Sequence, residues 1–477
     1  MNAKELIESF VQIVPTVRKP VGHITFKQKI FWTLTMLISY FVMTNVPILG
    51  LAEGGNDAFG QFRGILAGQQ GSIFQLGIMP IVTASIVLQI ITGTGLMPLD
   101  MNDPRDQNIY QGIRRVLIVV MVLVNAIPLI FGGGFLPASS SVASAIGIPV
   151  IALKFLMLAQ VAFGGMMIFY MDEVVSKWGI GSGLGLFIIA GISQRFIGGV
   201  VTQLLPGWWS IITGQVSLSF SFSTLELLLI EPGFIIPLIT TIGIFALVVA
   251  AESTKVQIPI KKATTGQSST YDVKLIYASV LPIILVRAIQ ANIQFIGQGI
   301  DSALGARMPV WLGQYGAQGQ VTGGLFYFLT PIFRPEDWMW FLGTTAAEPW
   351  MIIVRLLVDF TFMTLGGAVF AVFWVRTTNK DAEAIAKQLK VQDMQIPGFR
   401  NSSQIMENVL DRYIPYVTII GGGLIGALGV TASMLGTIGM VSGTGLLLAV
   451  SITVKIYEEI KEELYKSQFG SQYGFNK

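Results

Sequence analysis

Ten apolar stretches alternate with polar segments along the chain, and each has the length and composition of a membrane-spanning helix. A helix needs about 20 mostly apolar residues to cross the hydrocarbon core of a bilayer. The stretches are 30–51, 73–97, 112–133, 148–171, 182–203, 233–251, 274–298, 350–375, 410–432 and 442–458. The pattern predicts an all-α polytopic membrane protein with ten transmembrane helices.

The segments between the stretches predict an orientation. Residues 1–29 are too polar to span, but Leu6, Phe10, Ile13 and Val14 recur at helical spacing, which predicts an amphipathic helix on the membrane surface. Ten spans put both termini on one side. Of the 30 lysines and arginines, 23 fall on that side and three in the opposite loops. Because cytoplasmic segments carry the excess of Lys and Arg, both termini are predicted to be cytoplasmic.

The spans divide into five before residue 203 and five after residue 233. If two halves with an odd number of spans are structural repeats, they must be inverted relative to each other, as in several transporters. We therefore predict an N-terminal half at 1–203, an external connector at 204–232 and a C-terminal half at 233–477.

Composition removes most enzymatic chemistry. Apolar residues make up 52% of the chain and charged residues 12%, the mean hydropathy is +0.67, and there is no cysteine and one histidine. Thiolate catalysis and Cys-ligated metals are excluded, and neither a P-loop nor a G-x-S-x-G motif is present. Residues 421–426 fit G-x-G-x-x-G inside an apolar span, where helix packing is the better explanation. We predict no enzymatic activity, no cofactor and no metal.

Few charged residues fall inside the predicted spans. Asp359 is the one carboxylate deep in a span, and Arg355 precedes it by one helical turn, which favours a structural ion pair. Lys154, Arg195 and Arg287 have no partner nearby in sequence. Snorkelling or pairing between helices is expected for each of them.

Residues 52–72 follow the first span and are too polar and glycine-rich to cross the membrane. Phe59, Phe62, Ile65 and Leu66 share one face at helical spacing, which suits a short helix that folds back between the spans. An external Ω-loop fits the composition equally well. The residues alone leave both interpretations open.

Two long cytoplasmic loops, 252–274 and 376–412, together carry ten basic residues. They could dock a polyanion such as ribosomal RNA, although orientation alone already requires positive charge on this side. Within the second loop, 380–390 has a helical pattern, and a predicted turn precedes Arg400, the strongest docking candidate. The candidates on the first loop are Lys255, Lys261 and Lys262.

Several motifs resemble those of one known family. They are LGIMPIVTASIVLQIITG (76–93), DEVVSKWGIGSGLGLFIIAGISQ (172–194), KLIYASVLPIIL (274–285), IPGFRNS (396–402), RYIP (412–415) and SGTGLLLAVSI (442–452). In this order they are similar to the SecY family, the protein-conducting channel of the Sec translocon, over essentially the whole chain. The first cytoplasmic loop and the stretch FWVRTTNKDAEAIAKQL look more like the archaeal branch than the bacterial one.

The resemblance implies an hourglass of two inverted five-helix halves. A ring of aliphatic side chains would lie at mid-membrane, and a short re-entrant plug helix, about 54–70, would close it from outside. By motif match the ring is Ile78, Val82, Leu184, Ile188, Leu281 and Leu448. The plug residues are Asp57, Phe59, Phe62, Arg63, Ile65 and Leu66. An apolar ring resists ion leakage because it offers ions no replacement for their hydration.

The resemblance also implies a lateral gate, through which an apolar client segment leaves the channel into lipid. By motif match Thr83 and Asn125 lie at this seam, and Gln290 and Asn292 are candidate hydrogen-bond partners on span seven. The implied function is the central channel-forming subunit of the Sec translocase. It would be a passive conduit for unfolded secretory polypeptides and a gate for membrane-protein helices.

The implied partners are small single-span subunits of the SecE/gamma and beta types, the ribosome with its nascent chain, the signal recognition particle receptor and the lipid of the cell membrane. Energy would come from a translating ribosome, because archaeal-type systems lack the bacterial motor ATPase. A secondary transporter of small solutes is the competing hypothesis, and it predicts polar groups that converge at mid-membrane. A purely structural scaffold would not need a re-entrant 52–72 segment.

Overall fold

The computed structural model describes residues 15–470 except 23, 53, 56, 58, 61, 95, 98–102, 133–134, 214–234, 263–267, 275–279, 317–319, 343–346 and 396–402. Its helices are α1 (Phe26–Thr44), α2 (Arg63–Leu66), α3 (Met79–Gly93), α4 (Pro104–Phe131), α5 (Ser140–Ile146), α6 (Val150–Trp178), α7 (Gly183–Gly199), α8 (Leu205–Ile212), α9 (Ile235–Ser253), α10 (Leu281–Leu304), α11 (Leu325–Phe328), α12 (Pro349–Thr377), α13 (Ala382–Val391), α14 (Ser403–Leu410), α15 (Ile414–Leu435) and α16 (Gly443–Gly470). Its strands are β1 (Lys255–Lys262), β2 (Ser268–Lys274), β3 (Gln314–Tyr315), β4 (Val321–Gly323) and β5 (Met394–Gln395).

Each of the ten predicted apolar stretches overlaps one helix of at least 15 residues, in the order α1, α3, α4, α6, α7, α9, α10, α12, α15 and α16. Within the described residues, seven helices are long and apolar enough to cross a membrane, and α3 is a shorter apolar helix. The protein is therefore a helical, multi-pass membrane protein.

Local sequence signals set several helix starts. Asp103 accepts a hydrogen bond from the backbone N–H of Arg105 at 3.0 Å, and Pro104 occupies the first position of α4. Ser182 caps α7 in the same way through the N–H of Gly185, at 3.2 Å.

Two boundaries differ from the prediction. The second stretch was expected to be helical from residue 73, but α3 begins at Met79 because the preceding residues form turns, with Gly71 and Gly77 at positive φ. The connector was expected to begin at 204, but α7 continues through a π-helical turn, Val200–Leu204, into α8. Pro206 has no N–H to donate to the preceding turn, and a wide turn is a common way to accommodate that loss.

The two basic loops, 252–274 and 376–412, fold together into one small unit. Strand β1 pairs antiparallel with β2 from its own loop and with β5 from the other loop, in the order β2-β1-β5. Ile258, Ile260 and Val273 pack against α13, α14 and the end of α12 in a second hydrophobic core. The helical pattern at 380–390 is confirmed as α13, whereas the strands were not predicted.

Close helix packing explains the glycine-rich stretch at 421–426. A Cβ at Gly422 on α15 would lie 2.6 Å from the carbonyl oxygen of Gly367 on α12, and a Cβ at Gly367 would lie 2.5 Å from that of Gly422. The two backbones are in contact because neither residue has a side chain. The helix-packing interpretation is confirmed.

The segment that precedes α1 lies against the end of α6. Leu6, Phe10, Ile13 and Val14 of the predicted surface helix lie outside the described residues. The backbone N–H of Val17 donates to Glu173 at 3.0 Å, and Lys177 donates to the Val17 carbonyl at 2.7 Å, so this segment crosses the end of α6.

Candidate functional site

The 52–72 segment is built from turns around one turn of helix. Only Arg63–Leu66, within the described residues, is helical, so the helix is shorter than the predicted 54–70. Glycine is a poor helix former, and Gly54, Gly60 and Gly68 surround the turn, while Ala67 ends it in the left-handed conformation at φ 51°. The four apolar residues are nevertheless buried, with exposures from 1% to 5%: Phe59, Phe62, Ile65 and Leu66.

Contacts from several helices hold this segment in place. The ring centroids of Phe59 and Phe295 of α10 are 5.2 Å apart. The ring of Phe62 packs edge-on against that of Phe333, with 5.0 Å between centroids. The Tyr40 hydroxyl of α1 donates to the Ala67 carbonyl at 3.0 Å. The aromatic contacts reach residues of the C-terminal half, whereas Tyr40 belongs to the N-terminal half.

Polar contacts fix the segment internally and tie it to α3. Arg63 is 3% exposed and donates through Nε to Asp57 at 2.6 Å, with a second hydrogen bond from Nη2 to the same carboxylate. The N–H of Ile78, which immediately precedes α3, donates to the Leu66 carbonyl at 2.8 Å. A Cβ at Gly77 would collide with that carbonyl oxygen, so glycine is required for the approach.

The six aliphatic residues selected by motif lie in one hydrophobic cluster. Ile78, Val82, Ile188 and Leu448 are buried members of it, and Leu184 and Leu281 pack against it while partly buried. Ile78 precedes α3 directly, Leu184 is the second residue of α7 and Leu281 is the first of α10. Three of the six thus stand where helices begin.

The four predicted seam residues have different environments. Asn292 on α10 donates through Nδ2 to the Thr83 hydroxyl on α3 at 3.2 Å, which joins the two helices. Asn125 on α4 is 3% exposed, and its Nδ2 has no hydrogen-bond partner in the described part of the chain. Gln290 was expected to face the same seam, and this is wrong: its amide donates to Asp359 at 2.8 Å on α12.

Gln290 belongs to a buried charged cluster that the sequence did not predict. Arg287 on α10 is 0% exposed and lies 3.2 Å from Asp359, which is 1% exposed. Arg287 also donates to Gln290 at 2.8 Å and to the Thr444 hydroxyl of α16 at 2.9 Å. Pairing between helices is confirmed for Arg287. The signal in the sequence was two buried charges of opposite sign on different spans.

The expected Arg355–Asp359 ion pair is wrong. Arg355 instead donates to the carbonyl oxygens of Thr330 at 2.9 Å and Pro331 at 2.8 Å. Carbonyls that end a short helix and enter a turn lack partners of their own, and a guanidinium can satisfy two of them at once. Asp359 is left free to bind Arg287.

The two other charges without predicted partners, Lys154 and Arg195, lie beside an aromatic ring and at a polar cavity respectively. Lys154 lies 5.8 Å from the ring centroid of Phe131. Arg195 lines a cavity of about 260 Å³ between α1, α7 and the 52–72 segment, together with Tyr40, Arg63 and Gln194. No group of three or more His, Asp or Glu side chains in the described residues could hold a metal ion.

The predicted docking residues of the 252–274 loop lie on β1. Lys255 donates to Asp272 at 2.6 Å, and this hydrogen bond raises the pKa of Lys255 and lowers the pKa of Asp272. Lys261 and Lys262 stand where β1 pairs with β5, so they join the two loops. Arg400 lies outside the described residues.

Comparison with known proteins gives one consistent result. The SecY family model matches residues 72–457, and a model described as the plug domain of Sec61p matches residues 38–71. The protein translocase subunit SecY of Haloferax volcanii is 53% identical, and that of Halobacterium salinarum is 51% identical, with 96% of each chain covered in both cases.

Solved structures agree with these relatives. One described as "The structure of a protein conducting channel" aligns with a TM-score of 0.79 at 32% identity, over 96% of this chain and 97% of that chain. A second concerns the plug domain of SecY, which its description says stabilises the closed state and maintains a membrane seal; its TM-score is 0.76 at 32% identity, with the same coverage. A third, Sec61 in a canine ribosome-channel complex, has a TM-score of 0.77 at 32% identity, again with the same coverage.

Proposed function

The chain belongs to the SecY family, and from this premise we propose that it is the channel-forming subunit of a protein translocase. It conducts unfolded polypeptides through the membrane and releases apolar segments sideways into lipid. The observation that carries the proposal is the 52–72 segment, which is too polar to span the membrane and yet is buried by helices of both halves. A segment seated in this way can close a pore from one side.

The finer architecture follows from the same premise. We take the ten helices as ten spans in two inverted halves, of which the first runs to the end of α8 at Ile212 and the second begins at 233. Both termini then lie in the cytoplasm, where the basic loops can meet a ribosome. The assembly would include single-span subunits of the SecE/gamma and beta types, and the signal recognition particle receptor would deliver clients.

The constriction of the channel is the aliphatic ring of Ile78, Val82, Leu184, Ile188, Leu281 and Leu448. Their membership in one hydrophobic cluster supports this assignment. Aliphatic side chains of this kind can close around any residue of a passing peptide. In the absence of a peptide they exclude water and therefore ions.

The plug is the 52–72 segment, with Asp57, Phe59, Phe62, Arg63, Ile65 and Leu66. Its aromatic contacts to Phe295 and Phe333 hold it against the C-terminal half. These contacts are few and side-chain based, so an arriving peptide can replace them. The Arg63–Asp57 pair keeps both charges matched while the plug is buried.

The lateral gate lies between α3 and α10, where Asn292 donates to Thr83. A single neutral hydrogen bond within a membrane contributes about 0.6–2 kcal/mol. A leucine at the centre of a client helix gains about 0.5 kcal/mol on insertion. The seam contact is therefore of the right size to set a threshold of a few leucines.

Small-solute transport is the competing function, and the cluster around Arg287 is its best support. Arg287 and Asp359 converge in the interior, but they are 0% and 1% exposed and are bound to each other. A solute has no access to such a pair. Family membership and the buried 52–72 segment favour the channel.

Deleting residues 56–68 tests the proposal. The purified complex in planar bilayers should remain folded and should conduct ions when idle, because the ring alone closes intermittently. A matched control removes no residues and replaces Gln69 and Gln70 with serine, which leaves the apolar contacts intact. An idle conductance equal to that of the unaltered protein would contradict the plug assignment.

A further inference from the structure

The backbone at Thr330–Phe333 is held by side chains of α12. Arg355 donates to the carbonyls of Thr330 and Pro331, and the N–H of Ile332 donates to the second carboxylate oxygen of Asp359 at 3.1 Å. Arg355 and Asp359 are one helical turn apart, and both bind the peptide group between Pro331 and Ile332. The segment is thereby fixed next to Phe62 of the plug.

The same carboxylate holds the gate helix. Asp359 accepts hydrogen bonds from Arg287 and Gln290 of α10 through one oxygen, while Ile332 uses the other. The guanidinium of Arg287 lies 5.4 Å from the ring centroid of Phe333. Phe333 therefore touches the plug on one side and the charged cluster on the other.

The far side of α10 carries the seam contact. Asn292 follows Arg287 by five residues, which rotates it by about 140° around the helix toward α3. Any rotation of α10 that breaks the Arg287–Asp359 geometry also moves Asn292 away from Thr83. Arg287 further reaches Thr444 on α16, one turn before Leu448 of the ring.

A fully buried ion pair inside a membrane is costly, and ionisable residues there generally have a function. We propose that Arg287 and Asp359 are positioning residues that couple release of the plug to opening of the gate. With the plug seated, Phe62 holds Phe333, and the shared carboxylate holds α10 against α12. Loss of Phe62 frees the Phe333 ring, which packs beside Arg287, and α10 can then turn. This inference rests on the plug and gate of the proposed function.

The test cross-links the plug to position 333 and measures how readily clients leave through the gate. The chain has no cysteine, so Phe62→Cys with Phe333→Cys can be bridged by a short bifunctional thiol reagent in the reconstituted complex. The readout is the ratio of inserted to translocated product for clients of increasing leucine content. In the otherwise unaltered chain the bridge should lower this ratio by about fivefold or more, the lower end of ordinary coupling between sites.

The decisive comparison repeats the experiment in a chain that carries Arg287→Met and Asp359→Leu in addition to the two cysteines. These apolar residues replace both charges together, so neither is left unpaired. The bridge should then leave the ratio unchanged, while thermal unfolding reports that the variant is folded. An equal fall in both backgrounds would overturn the coupling and leave the plug and gate assignments standing.

Two further outcomes are defined. If the apolar double variant does not accumulate, Gln290→Met replaces it, because this change removes hydrogen bonds from the cluster and keeps the ion pair. The bridge should then lower the ratio by less than in the unaltered chain, and an equal effect would overturn the coupling. A bridge that changes neither idle conductance nor insertion in the unaltered chain would contradict the plug assignment itself.

Discussion

Helix α10 makes polar contacts on two of its faces, and the two contacts differ in charge and in burial. Toward α3 it makes one neutral, partly buried hydrogen bond, from Asn292 to Thr83. Toward α12 and α16 it makes a buried charged cluster through Arg287, whose partners are Asp359, Gln290 and Thr444. The first contact is easily broken and remade, whereas breaking the second leaves charges without partners.

The difference indicates which helices move together. Helix α12 contacts α15 backbone to backbone at Gly367 and Gly422. Helix α10 is joined to α12 by the Arg287–Asp359 ion pair. In the plugged state that we propose, helices α10, α12, α15 and α16 are therefore held as one body, and the α3 side of α10 is the weaker contact. A gate needs this asymmetry, because a helix that is held equally on both sides has no preferred direction to open.

The largest expected effect comes from breaking the charged face. Asp359→Leu alone leaves Arg287 buried and unpaired, and should lower the free energy of unfolding by about 3–5 kcal/mol. Adding Arg287→Met should recover most of this loss, since the pair is then replaced by apolar groups. Equilibrium unfolding in mixed detergent micelles measures both. Equal destabilisation in the single and double variants would mean that the two residues are not coupled.

A smaller effect is expected where the moving body is packed by glycine. Gly422→Ala places a methyl group 2.6 Å from the Gly367 carbonyl oxygen and should cost about 1–3 kcal/mol in the same unfolding assay. Gly243→Ala on α9 is the matched control, because a Cβ there meets no atom within 4 Å. If both substitutions have the same effect, the α12–α15 contact is looser than described.

The smallest effect is expected at the seam. Thr83→Val keeps the shape of the side chain but removes the group that accepts from Asn292, so the gate should open for clients with fewer leucines. The insertion threshold should fall by about 0.6–2 kcal/mol. Thr92→Val is the control, since that hydroxyl donates within α3 to Leu88. Superimposable insertion curves for Thr83→Val and the unaltered chain would remove Thr83 from the gate.

The apolar stretches predicted the positions of the long helices because helix length in a membrane is set by the bilayer. The boundary at Met79 escaped prediction because Gly77 lies in the apolar stretch 73–97 and acts through its positive φ, which hydropathy does not report. Strand β1 escaped for a different reason. Ile258 and Ile260 recur at the two-residue period of a strand. The neighbouring lysines led instead to a prediction about charge and docking.

The buried cluster shows the main limit of reasoning from sequence. Asp359 has Arg355 one helical turn away, and this spacing predicts a local ion pair. The actual partner, Arg287, is 72 residues away along the chain, and its proximity depends on how α10 and α12 pack. Arg355 donates its hydrogen bonds to the carbonyls of Thr330 and Pro331 instead. No sequence pattern identifies these carbonyls as acceptors. The contact between Thr83 and Asn292 was accessible because the family resemblance placed Thr83 at a seam facing span seven, where Asn292 was a candidate partner.

The central claim is that a polypeptide passes through the aliphatic ring, and thiol cross-linking tests it most directly. Because the chain has no cysteine, Val82→Cys and Leu448→Cys each introduce a single thiol into the ring. Ile242→Cys on α9, 61% exposed on the membrane-facing surface, is the control. A secretory client with one cysteine is stalled in transit and oxidised. The account predicts adducts at Val82 and Leu448 and none at Ile242. Adducts at Ile242 with none at the ring positions would contradict it.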